Sequence, residues 1–140
     1  ETLKNRVQHF LPLGAKRLIL EAEVAGLRIV LVHLAVTRRV RTRQLQLLSN
    51  IVGEESRPVV VAGDFNTFGG ARELNDFLAT TNLRSLNQTS APTYPSYEPK
   101  KELDFILCSP AVAARSFKVD ARAKLSDHLP LIADLDLAPR

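Results

Sequence analysis

The chain has 140 residues, 45% of them hydrophobic and 24% charged, close to the globular average, which excludes a disordered or fibrous protein. Its longest greasy stretch, Leu27 to Val36, is interrupted by Arg28 and His33, so no run approaches the ~18 apolar residues of a membrane span. The single cysteine, Cys108, excludes a disulfide scaffold and a cysteine-ligated zinc module, while a net charge of +4 is compatible with a phosphate-bearing partner without identifying one.

Residues 1–16 are expected to form a poorly defined N-terminal segment, with Pro12 and Gly14 marking a loop. Methionine is absent, so Glu1 is not an initiator and the chain reads as a piece of something longer. From Arg17 to Val24, Leu18, Leu20, Ala22 and Val24 alternate with Arg17, Glu21 and Glu23, the period of a half-buried strand. Ala25-Gly26 offers a tight turn into a second strand, Leu27 to Leu34, which completes an antiparallel hairpin and carries His33 at its end. The period then changes. Val40, Leu47, Leu48, Ile51 and Val52 fall on one helical stripe, with Thr37 as a candidate cap and Gly53 as the stop. Val59 to Ala62 is a short apolar run, rich in β-branched residues, of the kind covered on both faces, and it breaks at Gly63-Asp64-Phe65-Asn66. A second amphipathic helix is expected from Ala71 to Ala79, burying Leu74, Phe77 and Leu78. Three prolines make 87–100 an irregular loop, after which Leu103 to Cys108 and Leu131 to Leu137 return to strand. Strands alternating with two helices predict layered α/β packing.

Four polar spots lie at the ends of apolar strands: His33, the Asp64/Asn66 pair, Asp104 and the Asp127-His128 pair. Strand ends are where a rigid scaffold presents side chains to one cleft. Carboxylate and amide oxygens suit a hard cation such as Mg²⁺ or Mn²⁺, which keeps several waters and binds substrate phosphates. A histidine beside such a site takes a proton from water when an aspartate orients its other nitrogen. These are the parts of metal-assisted phosphoester hydrolysis. Taken singly, each has a plain structural alternative: His33 a packing histidine, Asp64-Phe65-Asn66 a turn, Ser126-Asp127-His128 an ordinary loop. Asp104 is harder to dismiss, because an unpaired buried carboxylate costs several kcal/mol or shifts its pKa.

The segments Val32-His33-Leu34, Arg43-Gln44-Leu45, Val59 to Thr67, Thr93-Tyr94-Pro95, Leu103 to Leu107 and Ser126 to Leu131, in that order, resemble the endonuclease/exonuclease/phosphatase superfamily, also called the deoxyribonuclease I-like fold. The resemblance covers about Arg17 to Leu137. It implies a four-layer α/β sandwich of two mixed β-sheets flanked by helices, of which this chain supplies about half, with 17–140 as the C-terminal portion of the domain. It also implies roles. His128 is similar to the histidine that activates water or stabilises the phosphorane, and Asp104 to its carboxylate partner. Asp64 and Asn66 resemble the pair that positions the nucleophile and a phosphate oxygen near the metal, and with Asp127, similar to a metal-associated carboxylate, they are the expected metal-site residues of this chain. His33 resembles the second histidine, which helps bind the phosphate or protonate the leaving oxygen. Its presence points away from the apurinic-site endonuclease branch and toward that of deoxyribonuclease I, sphingomyelinases, inositol-phosphate phosphatases and poly(A) deadenylases. The family's main metal ligand, a glutamate preceded by an asparagine, has no counterpart in 1–16, so it is expected upstream.

The expectation is therefore a Mg²⁺- or Mn²⁺-dependent phosphodiesterase, phosphatase or nuclease acting on nucleic acid, a phospholipid or an inositol phosphate. The rival is a half-domain without activity that binds nucleic acid or protein. Arg38, Arg39, Arg41 and Arg43 follow His33 and read as a solvated helix face, with phosphate contact as the alternative. Thr93-Tyr94-Pro95 lines the cleft or covers a sheet edge, and Asn87-Gln88-Thr89 matches a glycosylation acceptor. A lone cysteine and no visible leader suit a cytoplasmic protein, while a secretion signal lost upstream would suit a secreted one.

Overall fold

The computed structural model describes residues 4–11, 13–14, 17–53 and 57–137. A six-stranded mixed sheet runs in the order β1 (Lys4–Leu11), β2 (Arg17–Val24), β3 (Leu27–His33), β4 (Val59–Asp64), β6 (Asp104–Cys108) and β5 (Arg84–Ser85). A second, two-stranded antiparallel sheet pairs β7 (Val112–Val119) with β8 (Leu131–Leu137). Helices α1 (Arg38–Val52) and α2 (Asn75–Thr81), the latter preceded by a 3-10 turn at Ala71–Leu74, complete the described elements. This is the expected sandwich of two sheets with helices outside. Among the described residues the second sheet has only two strands, and both helices pack against the larger sheet. No described helix is long and apolar enough to cross a membrane.

Two cores follow from strand alternation. Val30, Val32, Val59, Val61, Phe105 and Leu107 point to one side of the sheet and meet Leu45, Leu48 and Val52 of α1 and Phe77 of α2. Val60, Ala62, Ile106 and Cys108 point to the other and meet Val112, Phe117, Ala133 and Leu135 of the second sheet. The β2–β3 hairpin closes through Ala25 and Gly26, both left-handed at φ 52° and 79°, as a two-residue turn matched to strand twist requires. The parallel β3–β4 pair, with α1 as its crossover, sets His33 level with Asp64, and the antiparallel β4–β6 pair sets Asp64 level with Asp104. Three polar residues thus line up across three strands at one end of the sheet.

Four features differ from the sequence reading. Lys4–Leu11, inside the segment expected to be poorly defined, is an edge strand paired along its length with β2. On β2 the strongly buried residue is Ile19, on the same face as Glu21 and Glu23, while Leu20 on the apolar face is 38% exposed. Glu21 tolerates the helix side because Arg28 donates to it at 2.7 Å and also to the carbonyl of Ile51. The Leu18/Leu20 face, with Leu31 and Phe10 beside it, lies away from the patch that β7 and β8 cover. Strand β7 has no alternating signature in the sequence, and a register shift between Ala114 and Ser116 interrupts its pairing with β8. Arg41 is not part of a solvated face. It is 2% exposed and bonds Glu73 at 2.5 Å and the carbonyls of Ala35 and Val36 at 2.9 and 2.7 Å. Its neighbours Arg38, Arg39 and Arg43 do stay exposed.

Candidate active site

The four polar spots converge. His33, Asp64, Asn66, Asp104, Asp127 and His128 all line one open cleft of about 490 Å³, together with Arg17, Val36, Phe68, Tyr94 and Ser126. Asp64 and Asp104 belong to the same alternating rows as Ala62 and Ile106, so they continue the face that the second sheet covers, just where that cover ends. The loop before β8 then brings His128 over them. Its course is fixed at both sides: Ser96 donates from its backbone to Asp127 O at 2.8 Å, and Leu129 N donates to Thr93 O at 2.8 Å.

His128 Nδ1 lies 2.8 Å from Asp104 Oδ2. The same carboxylate oxygen accepts the hydroxyl of Thr93 at 2.6 Å, and Thr93 Oγ1 in turn accepts the backbone N–H of Leu103 at 3.1 Å. The Tyr94 ring packs on the imidazole with centroids 4.9 Å apart, and Phe68 meets Tyr94 edge-on at 6.1 Å. Burial opposes a charge on His128, but the bond and field of Asp104, with Asp64 and Asp127 adding, outweigh it and hold the imidazole above its ordinary pKa. Engagement of Nδ1 leaves Nε2 as the nitrogen able to exchange a proton.

Asp64 is held by its own loop. Its Oδ1 accepts the backbone N–H of Asn66 at 2.8 Å and its Oδ2 the Asn66 amide at 3.1 Å, while His33 Nε2 lies 3.2 Å from Oδ2. Burial raises the Asp64 pKa and the nearby Asp104 charge raises it further, against the lowering effect of the Asn66 N–H and the two histidines. Asn66 is 4% exposed, in a left-handed conformation at φ 52°, and gives its second amide hydrogen to Leu34 O at 2.9 Å. Both hydrogens of its amide are therefore spent within the protein, which fixes the Asp64 carboxylate. Gly63 makes the motif possible: a Cβ there would lie 2.0 Å from the Val32 carbonyl oxygen, at φ 135°.

Oxygen and nitrogen atoms of Asp64, Asp104 and His128 lie within 4.8 Å of one another, a spacing that suits a divalent cation. Two carboxylates facing each other on adjacent strands repel, and a cation between them relieves that repulsion. Asp127 lines the cleft outside this close group, exposed and hydrogen-bonded at 3.1 Å to the Ser126 hydroxyl. Of the Thr93-Tyr94-Pro95 segment, named in the sequence for the cleft or a sheet edge, Tyr94 lines the cleft and Thr93 is buried behind Asp104; nothing in the sequence singles out Arg17. Arg17 looks from its spacing like the polar side of a strand. Asn87, the glycosylation match, is 5% exposed with its amide donating to Ala91 O and Glu102, so it offers no accessible acceptor.

A search of curated proteins gave no match. Among solved structures, the chain is similar to an endonuclease/exonuclease/phosphatase from Beutenbergia cavernae, with 22% identity and a TM-score of 0.77 over 96% of this chain and 45% of that one. It is similar to the human Nocturnin catalytic domain with bound sulfate, at 23% identity and TM-score 0.73 over 98% of this chain and 60% of that one. It is also similar to a mannosyl-6-phosphatase from Bacteroides thetaiotaomicron, at 13% identity and TM-score 0.79 over 96% of this chain and 67% of that one. The chain thus spans roughly half to two thirds of these structures. Residues 5–128 match the sequence pattern of the Endonuclease/Exonuclease/phosphatase family, and the chain belongs to that family.

Proposed function

We propose that this chain carries the acid–base half of a divalent-metal-dependent phosphoester hydrolase. The observation that supports it is the convergence of Asp64, Asp104 and His128 in one cleft, with His128 locked to Asp104 at 2.8 Å. In this reading His128 Nε2 takes a proton from the attacking water. Asp104 keeps the imidazole in the tautomer with hydrogen on Nδ1 and stabilises the imidazolium that forms, as an aspartate partner does in other hydrolases. Thr93 holds Asp104 in turn. Asp64, fixed by Asn66, orients the water, and His33 lies where it can bind a phosphate oxygen or protonate the leaving oxygen. The carboxylates of Asp64 and Asp104 fit a Mg²⁺ or Mn²⁺ ion, with Asp127 as a further oxygen donor at the rim, while His128, whose Nδ1 is held by Asp104, keeps Nε2 for the proton. When bound, that ion supplies Lewis-acid polarisation of the phosphoryl group and charge compensation.

A segment upstream of Glu1 is proposed to supply the main glutamate ligand and to cover the exposed face formed by Phe10, Leu20 and Leu31, which are 75%, 38% and 48% exposed. Candidate substrates are nucleic acid, phospholipid and inositol phosphate. The test is Mg²⁺-dependent release of p-nitrophenolate from bis(p-nitrophenyl) phosphate, by this chain and by a longer natural chain that includes upstream residues. Metal-dependent turnover that EDTA abolishes is expected in the longer chain. Its absence from both overturns the hydrolase reading in favour of a binding module.

A further inference from the structure

Arg17 opens β2 and lines two cavities at once. One is the catalytic cleft; the other is a groove that leaves it past His33 along Leu18, Leu20 and Leu31. Its Nε is buried and has no hydrogen-bond acceptor, and no carboxylate among the described residues pairs with its guanidinium. The contrast within the chain is direct, because Arg28 is held by Glu21 and Arg41 by Glu73. A guanidinium cannot shed its charge, and burying one of its N–H groups without an acceptor is unfavourable, so the group is incomplete as it stands. Its complement is an anion, and its planar fork is suited to phosphate.

Position decides which anion. Strand β2 is two strands from β4 in the sheet, with β3 and its His33 between them, and Arg17 lines the same cleft as His33 and Asp64. The phosphorus attacked from the Asp64–Asp104–His128 side is at the opposite end of the cleft. We propose that Arg17 binds a second, non-reacting phosphate of the substrate, carried one unit away from the ester that is hydrolysed. The proposal rests on the hydrolase reading for which phosphate reacts, but the anion site itself does not. The second phosphate has two sources: the next phosphate of a nucleic-acid strand, or a second phosphate on a small molecule.

The experiment measures binding rather than turnover, by isothermal titration in Mg²⁺ with His128→Ala as the background so that no ligand is consumed. The probes are thymidine 5′-monophosphate, thymidine 3′,5′-bisphosphate and tetrathymidylate. Loss of a charge-assisted bond predicts that adding Arg17→Gln weakens bisphosphate binding by about tenfold or more and leaves the monophosphate within about twofold. Arg17→Lys, which keeps the charge but loses the fork, is expected to fall between, and circular dichroism checks that each variant is folded. An equal loss for the bisphosphate and tetrathymidylate assigns the second phosphate to a strand; a loss confined to the bisphosphate assigns it to a small molecule. Equal weakening of monophosphate and bisphosphate, no weakening of either, or an Arg17 chain that binds the bisphosphate no better than the monophosphate overturns the proposal. Absence of Mg²⁺-dependent hydrolysis by the longer chain with His128 intact, together with Arg17-dependent bisphosphate binding, would remove the hydrolase reading and leave the anion site standing.

Discussion

Truncating Glu73 breaks a buried charge pair that braces the cleft. Arg41 and Glu73 side chains are 2% and 7% exposed and meet at 2.5 Å. Arg41 ties Glu73, which follows the Asp64–Asn66 loop, to the carbonyls of Ala35 and Val36, which follow His33. Gln44 adds a bond to the N–H of Ala35 at 2.8 Å. In Glu73→Ala the guanidinium stays buried without its counter-charge, for which about 3–5 kcal/mol of destabilisation is expected. Gly69 N–H also loses its acceptor, but it is exposed and water replaces the bond at little cost. With about 2.1 cal/mol/K of unfolding entropy per residue over 140 residues, a loss of about 4 kcal/mol lowers Tm by about 14 °C. That is a large share of the roughly 5–15 kcal/mol that a domain has in total. The chain has no tryptophan, so the assay is urea unfolding followed by far-ultraviolet circular dichroism. Arg41→Leu combined with Glu73→Leu is expected to recover most of the loss, because it removes both charges. A Glu73→Ala cost below about 1 kcal/mol would refute the reasoning, since it would mean that water reaches the guanidinium as it reaches an exposed pair.

Gly63→Ala is expected to destabilise by about 3 kcal/mol or more, because both its φ of 135° and the 2.0 Å approach to the Val32 carbonyl oppose a Cβ; a melting temperature within about 2 °C of the parent would contradict this. Asp64 has a raised pKa from burial first and Asp104 second, so its proton is held more tightly when folded and its ionisation disfavours the fold as pH rises above about 3.8. Asp64→Asn should therefore gain stability relative to the parent between pH 4 and 7, as measured by urea midpoints; a constant difference across that range would count against the charge argument. His128 is also raised, so its contribution is full below about 6.5 and is lost as pH rises through the folded value. The stability lost in His128→Ala should accordingly be greater at pH 6 than at pH 8.

Much of the site was legible because its chemistry sits at strand ends. His33, Asp64, Asp104 and His128 each interrupt or follow an apolar run, and alternation alone puts Asp64 and Asp104 on the face of Ala62 and Ile106. What spacing does not carry is long-range pairing. Arg41 reads as a surface residue because its partner Glu73 is 32 positions away, and only their contact makes burial tolerable. The same holds for Glu21 and Arg28, which allow β2 to bury its charged side instead of its leucines. Strand β1 is an edge with Val7 and Phe10 exposed at 45% and 75%, so its pattern carries little hydrophobic signal. Arg17 escaped notice for the opposite reason: it looks like an ordinary polar strand residue, and its missing partner shows only in three dimensions.

The most direct test of the catalytic reading is the rate of Mg²⁺-dependent bis(p-nitrophenyl) phosphate hydrolysis by the longer chain with His128 intact and with His128→Ala. Loss of a positioned acid–base group predicts a fall of about 10²- to 10⁴-fold with the fold retained. Turnover within a few-fold of the parent would contradict the assignment of His128 and Asp104 as the proton-handling pair.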